Sequence, residues 1–191
     1  MAIQVEEISA DYTGMIVEAD YQEYIRYDGT DQATIMPTLV ESAIRQAEAY
    51  CNATFGDKQY IYQRSEFEPN CAYYLPYAPI RTVDSVKVQN QDGSYTSLTE
   101  GTDYVVRGIT RKYIILTYNV QITGSIPQIL EIEYKAGNAT PANVNLQVKE
   151  AILQIMSENF ENRMEGVVGE SVAMLPRTSC VKLAPFRNNV Y

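Results

Sequence analysis

The sequence predicts an α+β fold in which amino-terminal helices precede a small antiparallel β-region, and a carboxyl-terminal helix and an extended tail follow it. Apolar residues recur at helical spacing near both ends of the chain, whereas the middle alternates with a period of two between turn residues. Hydrophobic residues make up 46% and charged residues 20%, as in chains that fold around a core. We expect the β-region to form a small sandwich or a barrel-like sheet.

The first predicted helix covers residues 20–28. Asp20 followed three residues later by Glu23 resembles a capping box, in which two side chains satisfy free backbone N–H groups at a helix start. Gly29 supplies the residue that ends the helix. The residues before it are assigned to an amino-terminal arm, 1–17.

The second predicted helix covers residues 37–55 and ends before Gly56. Its apolar stripe has helical spacing. The stripe contains Leu39, Val40, Ala43, Ile44, Ala47, Tyr50 and Cys51. Pro37 leaves the start open, because it either occupies the first turn or follows a short turn over residues 31–35.

The predicted β-region covers residues 59–136. Proline, glycine and asparagine divide it into short strands, which is typical of a small antiparallel sheet structure. The predicted strands are 59–68, 72–75, 83–90, 94–98, 103–107, 112–118 and 127–135. Asp92 and Gly93 lie between two of them and predict the clearest hairpin.

The last predicted helix covers residues 141–163, with Thr140 as its cap and Pro141 at its first position. Beyond it, Gly166, Gly169, Pro176 and Pro185 disfavour regular structure. We therefore divide the chain into the arm, a main domain over 18–165 and an extended carboxyl-terminal tail over 166–191.

Several classes of site are excluded by composition. The chain has no histidine, so Ser-His, Cys-His and histidine-based metal chemistry cannot operate, and neither phosphate-binding glycine motif is present. Cys51, Cys71 and Cys180 are an odd number at wide spacing and are expected to be reduced structural thiols. We predict no enzyme activity, no cofactor and no metal.

Charge and hydropathy restrict the classes of partner that the protein is expected to bind. The chain has 24 acidic and 15 basic residues, a net charge of -9, and so lacks the basic footprint of nucleic-acid binding. No basic amino-terminal leader and no apolar stretch of about 20 residues is found, which predicts assembly in a cytosol without a membrane.

Two pairs of carboxylates are the remaining catalytic candidates. Glu131 and Glu133 alternate along a predicted strand, as do Glu66 and Glu68, so each pair shares a face. Alternating acids usually mark the solvated face of a half-buried strand. We interpret both pairs as surface residues.

Tyrosine is unusually frequent, with 16 tyrosines, four phenylalanines and no tryptophan. Tyrosine favours strands, which explains part of the excess, and it is also enriched in protein interfaces. The closest group contains Tyr60, Tyr62, Tyr73, Tyr74 and Tyr77.

Taken in order, these elements resemble the head-tail connector (adaptor) family of tailed bacteriophages from about residue 18 to residue 187. The matching segments run from a short helix to an apolar end. They are YIRY (24–27), AIRQAEAYC (43–51), LPYAPIRTV (75–83), QDGS (91–94), TDYVV (102–106), IEYKAG (132–137) and LAPFR (183–187). The β-region looks larger than in the minimal helical members of that family.

The resemblance implies a structural virion subunit in the neck, a homo-oligomeric ring of twelve copies that bridges the portal protein and a tail or stopper protein. DNA would pass through the ring without specific binding, and assembly would occur in the host cytoplasm. The carboxyl-terminal tail of this chain, residues 166–191, is too apolar to be a free end. The resemblance favours its docking on the portal or a neighbouring subunit through Val181, Leu183, Phe186, Arg187 and Tyr191. Folding back on its own domain is the alternative.

Three other functions are compatible with the sequence. A tail-completion or minor tail protein would share the fold style. An acidic inhibitor that mimics DNA would concentrate its carboxylates at phosphate-like spacing, whereas here they are spread along the chain. An enzyme that uses carboxylates alone is the third.

Overall fold

The computed structural model of the protein describes residues 3–25, 35–90, 92–117, 120, 129–161 and 177–188. The chain forms two compact units, and each is built from two separate segments. The sheet unit contains Met1–Asp11 and Gly56–Asn138, and the helical unit contains Tyr12–Phe55 and Ala139–Tyr191. Helices and antiparallel sheets in one chain confirm the predicted α+β class.

The sheet unit has eight described strands in two open antiparallel sheets. The first sheet has the strand order β1-β2-β8-β4-β5 and the second the order β3-β7-β6. The strands are β1 (Ile3–Asp11), β2 (Asp57–Ser65), β3 (Ala72–Tyr74), β4 (Ile80–Gln89), β5 (Tyr95–Ser97), β6 (Tyr104–Arg107), β7 (Tyr113–Leu116) and β8 (Ile129–Gly137).

Alternation along the strands builds the core of this unit. On β2, Tyr60 and Tyr62 are buried while Gln59 and Gln63 lie on the other face, as expected for successive side chains of a strand. Both sheets contribute to one apolar cluster. Its largest fully buried members are Tyr73, Ile114, Leu116, Leu130, Ile132 and Tyr134.

The sequence predicted seven of these strands. Each predicted strand overlaps an observed one, with ends that differ by a few residues. The hairpin across Asp92 and Gly93 is confirmed, because β4 and β5 pair antiparallel on either side of it. Gly93 has a φ of 85°, a conformation that glycine adopts without strain.

The predicted arm over residues 1–17 differs from the structure. Residues Ile3–Asp11 form β1, which pairs antiparallel with β2 across the register from Ile3↔Arg64 to Asp11↔Asp57. Local sequence gave no sign of this strand, because β1 is mostly exposed and acidic and its pairing partner lies some fifty residues away. Long-range pairing therefore decides its structure.

The helical unit contains four described helices: α1 (Glu18–Ile25), α2 (Met36–Cys51), α3 (Leu146–Glu161) and α4 (Arg177–Leu183). Short 3₁₀ turns cover Pro141–Asn143 and Ala184–Phe186. One apolar cluster joins the unit. Its fully buried members include Met15, Met36, Ala43, Ile44, Ala47, Cys51, Ala151, Ile152, Met156 and Leu183.

The first helix begins two residues before the prediction. The Val17 N–H donates to Asp20 Oδ2 at 2.8 Å, so Asp20 lies inside the first turn and its carboxylate reaches back to the helix start. Lys149 Nζ also approaches this carboxylate, at 2.7 Å. Although partial burial opposes ionisation, these two contacts lower the pKa of Asp20. The predicted end of the helix lies outside the described residues.

The second helix resolves the question that Pro37 left open, since Pro37 lies in its first turn. The helix ends at Cys51 rather than at residue 55. Asn52 adopts a left-handed conformation with φ 48°, and its N–H donates to the Ala49 carbonyl oxygen. Asparagine tolerates this conformation well, so it ends the helix before Gly56.

The carboxyl-terminal third differs from the prediction in two places. Thr140 and Pro141 open a 3₁₀ turn, and α3 itself begins at Leu146, where the Asn145 side chain accepts the Gln147 N–H at 2.9 Å. The predicted extended tail contains α4 and a second 3₁₀ turn. Pro185 lies at the start of that turn, a position where proline costs no hydrogen bond.

Candidate interaction surfaces

The carboxyl-terminal segment packs on its own helical unit. Leu183 is fully buried in the helical core, and Phe186 packs against that core while remaining partly exposed. The Lys182 ammonium pairs with the Glu150 carboxylate of α3. The structure therefore shows the fold-back arrangement that the sequence left as an alternative to docking elsewhere.

Cys51 and its neighbour Asn52 fix the end of this segment. The Cys51 thiol donates to the Leu183 carbonyl oxygen at 3.6 Å, and the Asn188 N–H donates to the Cys51 carbonyl oxygen at 2.7 Å. The Asn188 side-chain amide donates to the Asn52 carbonyl oxygen at 3.2 Å. Burial raises the pKa of the Cys51 thiol to about 11.

Two other predicted interface residues, Val181 and Arg187, lie at the surface. Val181 is 72% exposed, and the Arg187 guanidinium lies over the Tyr50 ring, 5.6 Å from its centroid. These side chains leave an apolar and a cationic group at the surface of the folded segment. Tyr191 lies outside the described residues.

The predicted tyrosine group is largely core. Tyr60, Tyr62 and Tyr73 are buried, whereas Tyr74 is 67% and Tyr77 38% exposed. Burial raises the pKa of Tyr73. Most of the tyrosine excess in this group therefore fills the sheet core, and only its two exposed members can contact a partner.

The carboxylate pair on β8 takes part in a polar network. Glu131 accepts the Gln63 side-chain amide at 2.9 Å and lies 3.7 Å from the Lys87 ammonium. Glu133 accepts the Gln59 amide and, at 3.3 Å, the Ser85 hydroxyl. Each carboxylate thus has amide, hydroxyl or ammonium partners from the neighbouring strands.

The second carboxylate pair does not share a strand face. Glu66 has φ 64° and follows the end of β2, and the backbone of Glu68 exchanges two hydrogen bonds with the Tyr73 hydroxyl, at 2.7 and 2.8 Å. The prediction that Glu66 and Glu68 alternate on one strand is therefore wrong, because β2 ends before both. The turn, not the sheet, sets their directions.

Within the ranges that the structure describes, no group of three or more acidic, cysteine or histidine side chains could hold a metal ion. None of the helices in that part of the chain has the length and apolarity of a membrane span.

Two surface features of the sheet unit were missed by the sequence reading. One is the outer edge of β1, which among the described strands pairs only with β2. The other is the loop between β6 and β7, where Ile109 is 91% exposed. A basic cluster around an isoleucine, at 107–112, is the signal that was present in the sequence.

Comparison with known protein families agrees with this architecture. The family of head completion proteins matches residues 14–185. The chain belongs to the head completion protein family. This confirms the predicted resemblance to the head-tail connector (adaptor) family of tailed bacteriophages. The search of curated protein sequences gives no significant match.

Three of the solved structures that are similar to this chain come from gene transfer agent (GTA) particles. The chain is similar to a protein in the neck of an empty GTA particle computed with C6 symmetry, with a TM-score of 0.77 and 16% identity, covering 98% of this chain and 97% of that one. A chain in the virion of a native particle gives a TM-score of 0.74 at 16% identity, with 98% and 96% covered. A chain in a native neck with C12 symmetry gives 0.71 at 18%, with 98% and 97% covered. These likenesses establish the fold.

Proposed function

We propose that the protein is a structural subunit of the neck of a phage or phage-like particle, where a ring of copies joins the portal to a tail or stopper protein. The observation that carries the proposal is the family match over residues 14–185. It is supported by the fold likeness to chains from particle necks, which extends over almost the whole of both chains. Twelve copies are the proposed number.

The charge of the chain suits a ring through which a genome passes. At a net charge of -9, the subunits would surround the channel with negative potential. Phosphates of the same sign are repelled by such a surface, which reduces retention of the DNA during transit. We infer that DNA passes without specific binding.

The exposed part of the carboxyl-terminal segment is the proposed contact with the portal or a neighbouring subunit. Val181 offers apolar area, Phe186 is partly exposed, and Arg187 carries a positive charge that can pair with an acidic partner. Leu183 supports this surface from below, because its side chain is buried in the helical core. Tyr191 belongs to the same proposal.

The proposed role requires no catalysis and no cofactor. With no histidine and no phosphate-binding motif, the protein is expected to hydrolyse nucleotides, esters and peptides no faster than buffer. The proposed site of assembly is the host cytoplasm. Hydrolysis that disappears on changing one carboxylate to its amide would contradict the proposal.

Particle images and mass measurements of the purified protein, with and without the portal protein of the same particle, test the proposed function. We expect closed rings in at least one of the two samples. A matched control is the same protein with an unrelated acidic protein in place of the portal. A protein that stays monomeric at all concentrations and ignores the portal would rule the proposal out.

A further inference from the structure

We propose that neighbouring copies of this chain contact each other through two parts of the sheet unit, the β6–β7 tip of one copy and the β1 edge of the next. The β6–β7 tip is defined as residues 107–112, and the β1 edge as the outer side of Ile3–Asp11. The inference rests on the proposed ring and specifies how its subunits meet.

The β6–β7 tip is held firmly in place. Its backbone accepts two hydrogen bonds, from the Ile80 N–H to the Thr110 carbonyl oxygen at 2.9 Å and from the Leu75 N–H to the Lys112 carbonyl oxygen at 3.2 Å. Gly108 has φ 90°, and a Cβ there would lie 2.1 Å from the Arg111 carbonyl oxygen. A rigid tip loses little conformational entropy on binding.

The chemistry of the tip is unusual for this chain. Residues 104–117 contain three basic and no acidic residues, whereas the whole chain has 15 basic and 24 acidic ones. Ile109 is 91% exposed at the apex, and Arg107 and Arg111 flank it at exposed positions. A rigid apolar apex between cations requires an acidic partner with apolar area.

The β1 edge offers that combination. It carries Glu6, Glu7 and Asp11 and no basic residue. Glu7 already pairs with the Lys58 ammonium of β2 at 2.8 Å, while Ile3 is 56% and Ile8 47% exposed. The register with β2 shifts between Glu7 and Ser9, so Ile8 lies at a bulge. Among the described strands β1 pairs only with β2, and the edge of a sheet is a natural docking surface.

The sheet register separates the two surfaces within one copy. Ala10 pairs with Lys58, Lys58 with Ala136, and Ala136 with Ile80. Three strand spacings therefore separate the β1 edge from Ile80, about 14 Å. Since Ile80 also bonds the tip through Thr110, the tip belongs to the β4 side of the unit.

Two different complementary surfaces at different places on one molecule form a head-to-tail contact, and repetition of such a contact closes a ring when the rotation permits. A second copy fits better than nucleic acid, because a fully exposed isoleucine has no place against phosphates and the chain as a whole is acidic. The contact is electrostatic in part and should weaken in high salt.

Cysteine cross-linking tests the proposed contact directly. In a Cys71→Ser background, which removes the exposed native thiol, the double variant Ile8→Cys, Ile109→Cys should give a ladder of disulfide-linked oligomers under oxidation. Each single variant should give no more than a dimer. The control pairs Ile109→Cys with Leu146→Cys, an apolar position on the helical unit that at 80% is more exposed than Ile8 at 47%, and should give no ladder.

Charge reversal gives an independent measurement. Arg107→Glu with Arg111→Glu, or Glu6→Lys alone, should each raise the concentration of half-assembly by about tenfold or more, and combining them should restore assembly. Glu23→Lys, an exposed acid in α1, is the charge-matched control. Thermal melts must show that every variant is folded.

The outcomes separate this inference from the proposed function. Rings that form normally but yield no ladder, or that ignore the charge reversals, overturn the contact and leave the ring subunit role intact. A protein that forms no ring even with portal overturns both. Ladder formation together with charge rescue establishes the contact.

Discussion

The two units bury different kinds of side chain, and the difference shows where each is vulnerable. The fully buried apolar side chains described in the helical unit are not aromatic, and they include Ala43, Ala47 and Ala151, small residues that allow helices to approach closely. The core of the sheet unit contains several tyrosines, whose hydroxyls must find partners. A substitution that removes side-chain volume should therefore destabilise the helical unit most. A substitution that removes a tyrosine hydroxyl should destabilise the sheet unit most.

The largest expected effect is on the helical unit. Leu183→Ala leaves a cavity in a fully buried position, and such changes cost about 2–5 kcal/mol of unfolding free energy. Chemical denaturation followed by far-ultraviolet circular dichroism measures it. Val181→Ala, two residues away and 72% exposed, is the control and should change stability by less than about 0.5 kcal/mol.

Equal effects of these two substitutions would show that α4 does not hold its place in the helical core. The buried position of Leu183 also changes the result that we expect from deleting the carboxyl-terminal segment. Deleting residues 181–191 removes Leu183 and the hydrogen bonds that Asn188 donates to the Cys51 and Asn52 carbonyl oxygens, so we expect the truncated chain to be unstable rather than only impaired in assembly.

In the sheet unit, Tyr73→Phe should cost about 1–3 kcal/mol, because it leaves both backbone groups of Glu68 without the hydroxyl that now bonds them. The tyrosine ring itself is retained, so packing changes little. Tyr74→Phe, at a ring that is 67% exposed, is the control and should be neutral. A loss of stability as large at Tyr74 would contradict the assignment of Tyr73 as the inward-facing residue.

Each unit contains one described element that the sequence did not predict. Seven strands and three helices follow from local patterns, because alternation, turn residues and apolar stripes are short-range signals. The strand β1 and the helix α4 do not. Both are terminal segments whose structure depends on partners far away in the chain, β2 for the first and Cys51 for the second.

The interaction surfaces could be predicted only in part. The apolar residues of the tail were recognised, but their spacing could not show that Leu183 points into the core while Val181 is exposed. The isoleucine of the β6–β7 tip resembles any strand residue in sequence. Its 91% exposure results from a tight loop around Gly108, which only the backbone geometry reveals.

A smaller effect is expected from alkaline pH. Burial raises the pKa of Cys51 from 9.0 to about 11, so the folded state keeps a proton that the unfolded chain loses. Its contribution to stability is complete below the unfolded pKa and disappears as the pH rises from 9.0 to about 11. Stability curves should decline across this window.

Comparison of Cys51→Ala with Cys71→Ala isolates the thiol. The Cys51 variant should be less stable at neutral pH, because it leaves a small cavity, but its decline at alkaline pH should be shallower. Cys71 is exposed, and its variant should follow the parent. Parallel curves for all three proteins would show that other groups, such as the buried tyrosines, control the alkaline loss.

The smallest effect on stability, and the sharpest separation of folding from assembly, is expected at Val181. Because 72% of the residue is exposed, Val181→Ser should leave the unfolding free energy within about 0.5 kcal/mol of the parent. If this side chain contacts the portal or a neighbouring copy, losing it should weaken ring formation by roughly tenfold at most, since one exposed aliphatic residue supplies limited binding energy.

Leu146→Ser, at 80% exposure on α3, is matched for the loss of apolar surface. Mass measurements across a concentration series would compare the two. Identical assembly curves would restrict the carboxyl-terminal segment to a role in folding, and a shift seen only for Val181 would assign it to the interface.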